Sequence, residues 1–166
     1  MIVRNIEKED LKAVAEIVVN GWKSAYRGII DDDFLDSLNA NDAYQRMLKN
    51  YQENGFVVAE IDNEVVGFCR YTLENLFSKE YTEIDGEISA IYVKPELKRN
   101  GIGRKLFEYV FKEFKKNGNK KIILWCLKEN YPSRAFYEKM GGILCGKSSI
   151  MRGGKEYKEV GFQFNI

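Results

Sequence analysis

Gly86-Glu87-Ile88-Ser89-Ala90-Ile91-Tyr92-Val93, then Lys98-Arg99-Asn100-Gly101-Ile102-Gly103, decide how this chain folds. The first run alternates imperfectly as a strand and stops at Lys94-Pro95, where proline removes a ladder donor. After the second, Leu106, Phe107, Val110, Phe111 and Phe114 recur at helical spacing as far as Asn117-Gly118. A strand that turns through glycines into a helix aims its first-turn amides outward, and the helix macrodipole adds attraction for negative charge. Gly101 and Gly103 carry no Cβ, so a ligand can approach the main chain closely. The dipole is worth about 0.3–1 kcal/mol and each charge-assisted hydrogen bond about 1.5–3, so several amides must act together with Lys98, Arg99 and Arg104. The plain alternative is a solvated basic loop before an ordinary helix, and the flanking sequence has to decide. A dinucleotide fingerprint would need glycine where Leu106 stands, and a Walker loop needs Gly-Lys-Ser/Thr where this chain has Gly103-Arg104-Lys105. Neither NAD nor ATP is favoured.

Outward from that turn, Lys121 to Leu127 reads as a buried strand, and Ala135, Phe136 and Met140 stud a helix that stops at Gly141-Gly142. Strand, helix, strand, helix from Gly86 to Gly141 suits a crossover with parallel pairing. Both ends suit antiparallel pairing. Ile2 to Ile6 is a short strand; Phe56 to Glu60 and Val65 to Leu73 form a hairpin about Asp62-Asn63-Glu64; Ile143 to Met151 and Tyr157 to Phe164 close the chain as a second hairpin. Leu11, Val14, Ala15, Val18 and Val19 mark an amphipathic first helix. Trp22 to Ile30 reads as aromatic and irregular, Asp31 to Asp33 as a helix cap, Tyr44 to Tyr51 as helical, and Glu74 to Tyr81 as a connecting loop. The expected fold is a mixed α/β sheet, mostly antiparallel and twisted, with a central parallel strand pair and flanking helices.

The chain has 166 residues, 45% of them hydrophobic, which suits a single domain over residues 1–166. A net charge of +1 supplies no global field toward nucleic acid or anionic lipid, and Lys115 to Lys121 reads as a solvated helix end. No apolar run is long enough to span a bilayer, and Met1 to Asp10 does not resemble a leader, so a cytoplasmic location is expected. Cys69, Cys126 and Cys145 lie in strand-like runs without CxxC spacing, so buried free thiols are expected and no metal. The chain contains no histidine, which removes the usual general base and the commonest metal ligand. Its chemistry falls to carboxylate, phenol, amine or thiol.

Lys98 to Gly103, after a strand ending Ile91-Tyr92-Val93, together with Asn130-Tyr131-Pro132-Ser133-Arg134-Ala135-Phe136-Tyr137, resembles the GNAT superfamily of N-acetyltransferases. The family pattern is [Q/R]xxGx[G/A], followed one strand later by Asn, several spacers and Phe-Tyr. The similarity is firm from about Glu87 to Gly142 and compatible from Trp22 to Leu38. Lys98 departs from the pattern: it keeps the charge but loses the planar fork that grips phosphate at two points. The resemblance implies acetyl-CoA as co-substrate, lying where Gly86–Val93 and Lys121–Leu127 splay apart. It implies that Lys98, Arg99, Asn100, Gly101, Ile102, Gly103 and Arg104 hold the diphosphate. The backbone of Ile91, Tyr92 and Val93, with Asn130, Ser133 and Tyr137, would then line the pantetheine. Asn130 also reads plainly as a helix cap.

Acetyl transfer to an amine of pKa about 10.4 requires removal of a proton, at a cost near 4–5 kcal/mol at pH 7. Glu87 sits early on the strand before the glycine loop, where similar proteins often place a base, so the resemblance makes it the leading base, directly or through water, with Asp85 and Glu83 as fallbacks; its plain reading is a solvent-facing strand carboxylate. Tyr137 resembles the family phenol that assists the departing sulfur. A phenol near pKa 10 is a weaker acid than a thiol near 8.5, so a hydrogen bond is favoured over full transfer by about 2 kcal/mol. Its plain reading is a core aromatic beside Phe136. Cys126 as acyl carrier is a rival, disfavoured inside an apolar strand, so direct transfer in a ternary complex is expected. Trp22 and Tyr26, with Asp31 to Asp33 nearby, suit the wall for a small-molecule or peptide amine. A non-catalytic coenzyme-binding module is the alternative reading, and the closing hairpin could support a homodimer.

Overall fold

In a computed structural model that describes residues 1–52, 54–76 and 78–166, one sheet organises the chain. Its strands are β1 (Ile2–Asn5), β2 (Phe56–Ile61), β3 (Glu64–Thr72), β4 (Gly86–Val93), β5 (Lys121–Leu127), β6 (Ile143–Arg152) and β7 (Lys155–Asn165). Their order is β1-β2-β3-β4-β5-β7-β6. Every neighbouring pair is antiparallel except β4 with β5. The expected mixed sheet with its central parallel pair is therefore present. Asp62 and Asn63 both take positive φ, 51° and 63°, as the two-residue turn of the β2–β3 hairpin requires.

Five α-helices flank the sheet among the described residues: α1 (Leu11–Tyr26), α2 (Asp32–Ser37), α3 (Ala40–Lys49), α4 (Ile102–Asn117) and α5 (Tyr131–Lys139). The apolar stripe of α4, Ile102, Leu106, Val110 and Phe114 with Phe107 beside it, is fully buried against Ile122, Leu124, Phe162 and Phe164. Burying side chains of this size is worth about 1.5–3 kcal/mol each, so this stripe fixes α4 to its face of the sheet. On the opposite face Leu11, Val14 and Ile17 of α1 pack on Phe56, Val58 and Phe68.

Two expectations need correction. Trp22 to Ile30 is not wholly irregular, because α1 continues through Tyr26. Gly21 does not break the helix: a Cβ there would lie 2.8 Å from the Tyr92 ring, so the glycine permits a close approach of α1 to β4. Cys69 and Cys126 are buried free thiols as expected, but Cys145 on β6 is only half-buried. Other boundaries shift modestly. Asn39, which accepts from the Asp42 amide at 2.9 Å, starts α3 ahead of Tyr44, and α5 begins at Tyr131. Asp31 caps α2 by accepting from the Phe34 amide at 3.1 Å. Of the loop expected from Glu74 to Tyr81, Phe77 lies outside the described residues.

Arg4 joins β1 to its neighbours by bridging Asp10 at 2.6 Å and Glu60 at 2.7 Å. Burial pushes the Asp10 carboxyl up, but bonds from Arg4 and from the Glu7 amide outweigh it and hold Asp10 below the ordinary aspartate value. A depressed carboxyl stabilises the fold above its unfolded value and loses that contribution as pH falls through its folded one. Urea midpoints should therefore drop below about pH 4, and Asp10→Asn should flatten that dependence. Identical acid profiles for the two proteins would remove the Arg4–Asp10 bridge as its source.

Candidate active site

β4 and β5 pair only at Gly86↔Ile122, Glu87↔Ile123 and Ile88↔Leu124. Beyond these positions β4 runs on to Val93 beside β3, while β5 runs on to Leu127 beside β7. The two strands diverge, as expected. Ser89 has no partner in the β3 register, which steps from Arg70↔Ala90 to Tyr71↔Ile88, and this bulge re-aims the strand at the point of divergence. Past it, Ile91 and Val93 pack on the α4 side while Ala90 and Tyr92 pack on the α1 side. The main-chain edge of Ser89–Val93 that faces β5 has no strand partner.

At the head of α4, Lys105 is the first amide to find an acceptor, Gly101 O at 3.0 Å; the amides of residues 99–104 donate to no protein group among the described residues. Arg99 and Gly101 both take positive φ, 68° and 81°, which wraps the loop into a concave array of N–H groups. Lys98, Arg99, Asn100, Gly101 and Arg104 are exposed, and none of the three cations forms an ion pair among the described residues. A Cβ on Gly101 would meet nothing within 4 Å, whereas one on Gly103 would lie 3.4 Å from Phe136. Gly101 thus keeps a turn, and Gly103 eases α4 against α5.

Tyr137 enters from α5, buried among Phe107, Phe136 and Phe162 with ring centroids 6.2, 5.6 and 5.7 Å away. Burial pushes its phenol well above the ordinary value, against a hydrogen bond with Ser133. Tyr26, Cys126 and Cys69 are within its electrostatic reach. Asn130 caps α5 by accepting from the Ser133 amide at 3.3 Å, so its plain reading holds. Its side-chain nitrogen donates to no group among the described residues, and the Nε of Arg134, one turn on, is buried without a partner. Orphan donors there, open amides at the α4 head and an unpaired β4 edge all fit a long, polar, phosphate-bearing molecule such as coenzyme A.

Glu87 is not solvent-facing; it is only 4% exposed. Ser78 donates to it at 3.1 Å, and Trp125 Nε1 donates to the Ser78 hydroxyl at 2.9 Å. A carboxylate oriented in this way lies beside the point where β4 and β5 part. Asp85 is occupied otherwise, since its two oxygens accept the Lys120 and Lys121 amides at 2.8 and 3.1 Å. Glu83 is exposed. Burial pushes the Cys126 thiol up to about 12, so it is no thiolate at neutral pH.

On the α1 side, Trp22 and Tyr26 meet edge to face at 5.0 Å, Tyr26 and Tyr92 hydroxyls lie 3.2 Å apart, and Phe34 closes on Trp22 at 6.5 Å. The β6–β7 hairpin covers this group: the Asp31 amide donates to Tyr157 Oη at 2.9 Å, and Arg152 lies 5.5 Å from the Trp22 ring centre. The structure brings together Trp22 and Tyr26 of the expected acceptor wall; Ser78 and Trp125 beside Glu87, and Arg152 and Glu159 beside that wall, were not singled out from the sequence. Glu159 carried one faint signal, the alternation Tyr157, Glu159, Gly161 against Val160, Phe162 and Phe164. A cavity of about 210 Å³ lined by Leu11, Ala43, Met47, Phe56 and Arg70 includes none of these residues.

Residues 22–142 match the model of the acetyltransferase (GNAT) family. A protein of Archaeoglobus fulgidus named as an uncharacterized N-acetyltransferase is 33% identical over 140 residues, covering 82% of this chain and 89% of that protein. The spermidine N(1)-acetyltransferase of Thermoplasma acidophilum is 25% identical over 146 residues, with 84% and 86% covered. Among solved structures, the PaiA N-acetyltransferase of Thermoplasma acidophilum in complex with coenzyme A superposes with a TM-score of 0.74 at 24% identity, covering 95% of this chain and 96% of that one.

Proposed function

The chain belongs to the acetyltransferase (GNAT) family and is an acetyl-CoA-dependent N-acetyltransferase, and on that premise we propose that it acetylates a primary amine of a small molecule or peptide by direct transfer in a ternary complex. The observation that carries this reading is the run of open amides at residues 99–104, set at the head of α4 beside diverging β4 and β5. Acetyl-CoA brings the activated thioester. The amides of residues 99–104 with Lys98, Arg99 and Arg104 bind its diphosphate, several charge-assisted bonds acting together. The free edge at Ile91–Val93, with Asn130 and Ser133, lines the pantetheine. Glu87, held by Ser78, takes the amine proton directly or through one water. Tyr137 donates a hydrogen bond to the sulfur as negative charge gathers there. Its raised phenol value makes proton donation less favourable still, so the hydrogen bond is its contribution. The high thiol value of Cys126 argues against a covalent acyl-enzyme.

Release of free coenzyme A across a panel of amines tests the reading, with initial rates taken at several fixed amine concentrations. Intersecting double-reciprocal lines are expected; parallel lines would overturn direct transfer. Glu87→Gln retains an acceptor for Ser78, so the variant should fold. It is expected to lower kcat about 100-fold or more while coenzyme affinity holds. Unchanged turnover would take Glu87 out of the mechanism.

A further inference from the structure

Glu159 stands on β7 directly across from Leu127 of β5 and from Ser148 of β6. Residues opposite one another in antiparallel strands share a face, and Leu127 packs in the cluster of Trp22, Tyr26, Phe34 and Tyr157. Along the same face of β7, Tyr157 precedes Glu159 and is tied to the Asp31 amide, while Gly161 follows it beneath the Trp125 ring. Glu159 therefore lies in the aromatic wall, inward of the hairpin tip. Tyr26 and Cys126 feel its charge. It is half-buried and makes no hydrogen bond or ion pair among the described residues. Arg152, the nearby cation, acts on the Glu159 charge from a distance but rests over the Trp22 face and forms no ion pair with Glu159. A half-buried carboxylate that feels Arg152 only at a distance, with no ion pair of its own among the described residues, keeps its oxygens open to a cation inside an aromatic wall.

The register also fixes how far this carboxylate is from the proposed base. Glu87 is level with Ile123 of β5, and Glu159 with Leu127 of the same strand. Four residues along a strand are about 13 Å and two strand spacings about 10 Å, so no single nitrogen reaches both carboxylates. We propose that Glu159 binds a second, positively charged nitrogen of the acceptor, with Trp22 and Tyr26 as walls, so that the preferred substrates are di- or polyamines acetylated at one end. This rests on the acyl-transfer reading above and adds its acceptor class.

Steady-state acetylation of linear α,ω-diaminoalkanes, compared with n-alkylamines of equal length, tests it. The wild-type chain is expected to show kcat/KM about tenfold or more higher for the better diamines than for their monoamine counterparts. Glu159→Gln should collapse that ratio toward one through KM for the diamine, Glu159→Asp should restore part of it, and the dissociation constant for acetyl-CoA should not move. Equal kcat/KM for diamines and monoamines, or a ratio indifferent to Glu159→Gln, overturns the role of Glu159 while leaving acyl transfer standing. Acetyl-CoA binding with acetylation of no amine overturns both.

Discussion

Tyr137→Phe is expected to lower kcat by about 10- to 100-fold while the dissociation constant for acetyl-CoA stays within a factor of about two. The ring is held by Phe107, Phe136 and Phe162 and stays held without its hydroxyl, so folding is preserved and what is removed is the hydroxyl, with its bond to Ser133 and the proposed bond to the sulfur. The proposed bond to the sulfur would strengthen as charge develops there, and an interaction of this kind appears in kcat and not in ground-state binding. Because burial keeps the phenol protonated beyond its ordinary range, ionisation of Tyr137 should produce no fall in kcat up to about pH 10. Steady-state rates over pH 6–10, with binding by calorimetry, check both statements. A variant that turns over as fast as the wild type would reduce Tyr137 to a packing residue.

Gly101→Val is expected to weaken acetyl-CoA binding on the order of 100-fold with a modest loss of thermal stability. The substitution meets no obstacle in space, since a Cβ at residue 101 has nothing within 4 Å. The difficulty is the backbone: φ there is 81°, and a β-branched residue in that region costs about 1–2 kcal/mol or more. Arg99 already sits at φ 68°, so the short loop cannot absorb a second strained residue and will swing Gly101 to negative φ. Swinging it turns neighbouring amides out of the shared concavity, and losing two charge-assisted bonds accounts for the expected change. Calorimetric titration of the folded variant with acetyl-CoA is the measurement; affinity within twofold of wild type would mean that these amides do not bind the coenzyme.

The fold was largely legible because its strongest patterns are local. Leu106, Val110 and Phe114 announce α4, Asp62-Asn63 the first hairpin, and the strand–helix–strand order between Gly86 and Leu127 the parallel pair. Boundaries failed where tertiary packing overrides local signals. Trp22 to Ile30 reads as aromatic and irregular, yet α1 runs through Tyr26, packed closely on Tyr92 at Gly21. The loop at residues 98–104 was legible from its glycines and charges, but the positive φ of Arg99 was not, because nothing in an arginine marks it. The surroundings of Glu87 were hidden for another reason. Ser78 and Trp125 are 9 and 38 positions from Glu87, and only the folded chain brings the three together. Glu159 was passed over as one polar residue of an alternating strand, since alternation says which residues share a face but not what covers that face.

The short join between β4 and β5 has a geometric outcome. The open amides head a helix packed on one side of the sheet, whereas Trp22, Tyr26 and Glu159 lie on the other. On the proposed reading, coenzyme and amine would approach from opposite sides and meet where the two strands part, so neither would have to leave before the other could enter. A synthetic compound tethering coenzyme to amine would then need a bridge no longer than the sheet is thick.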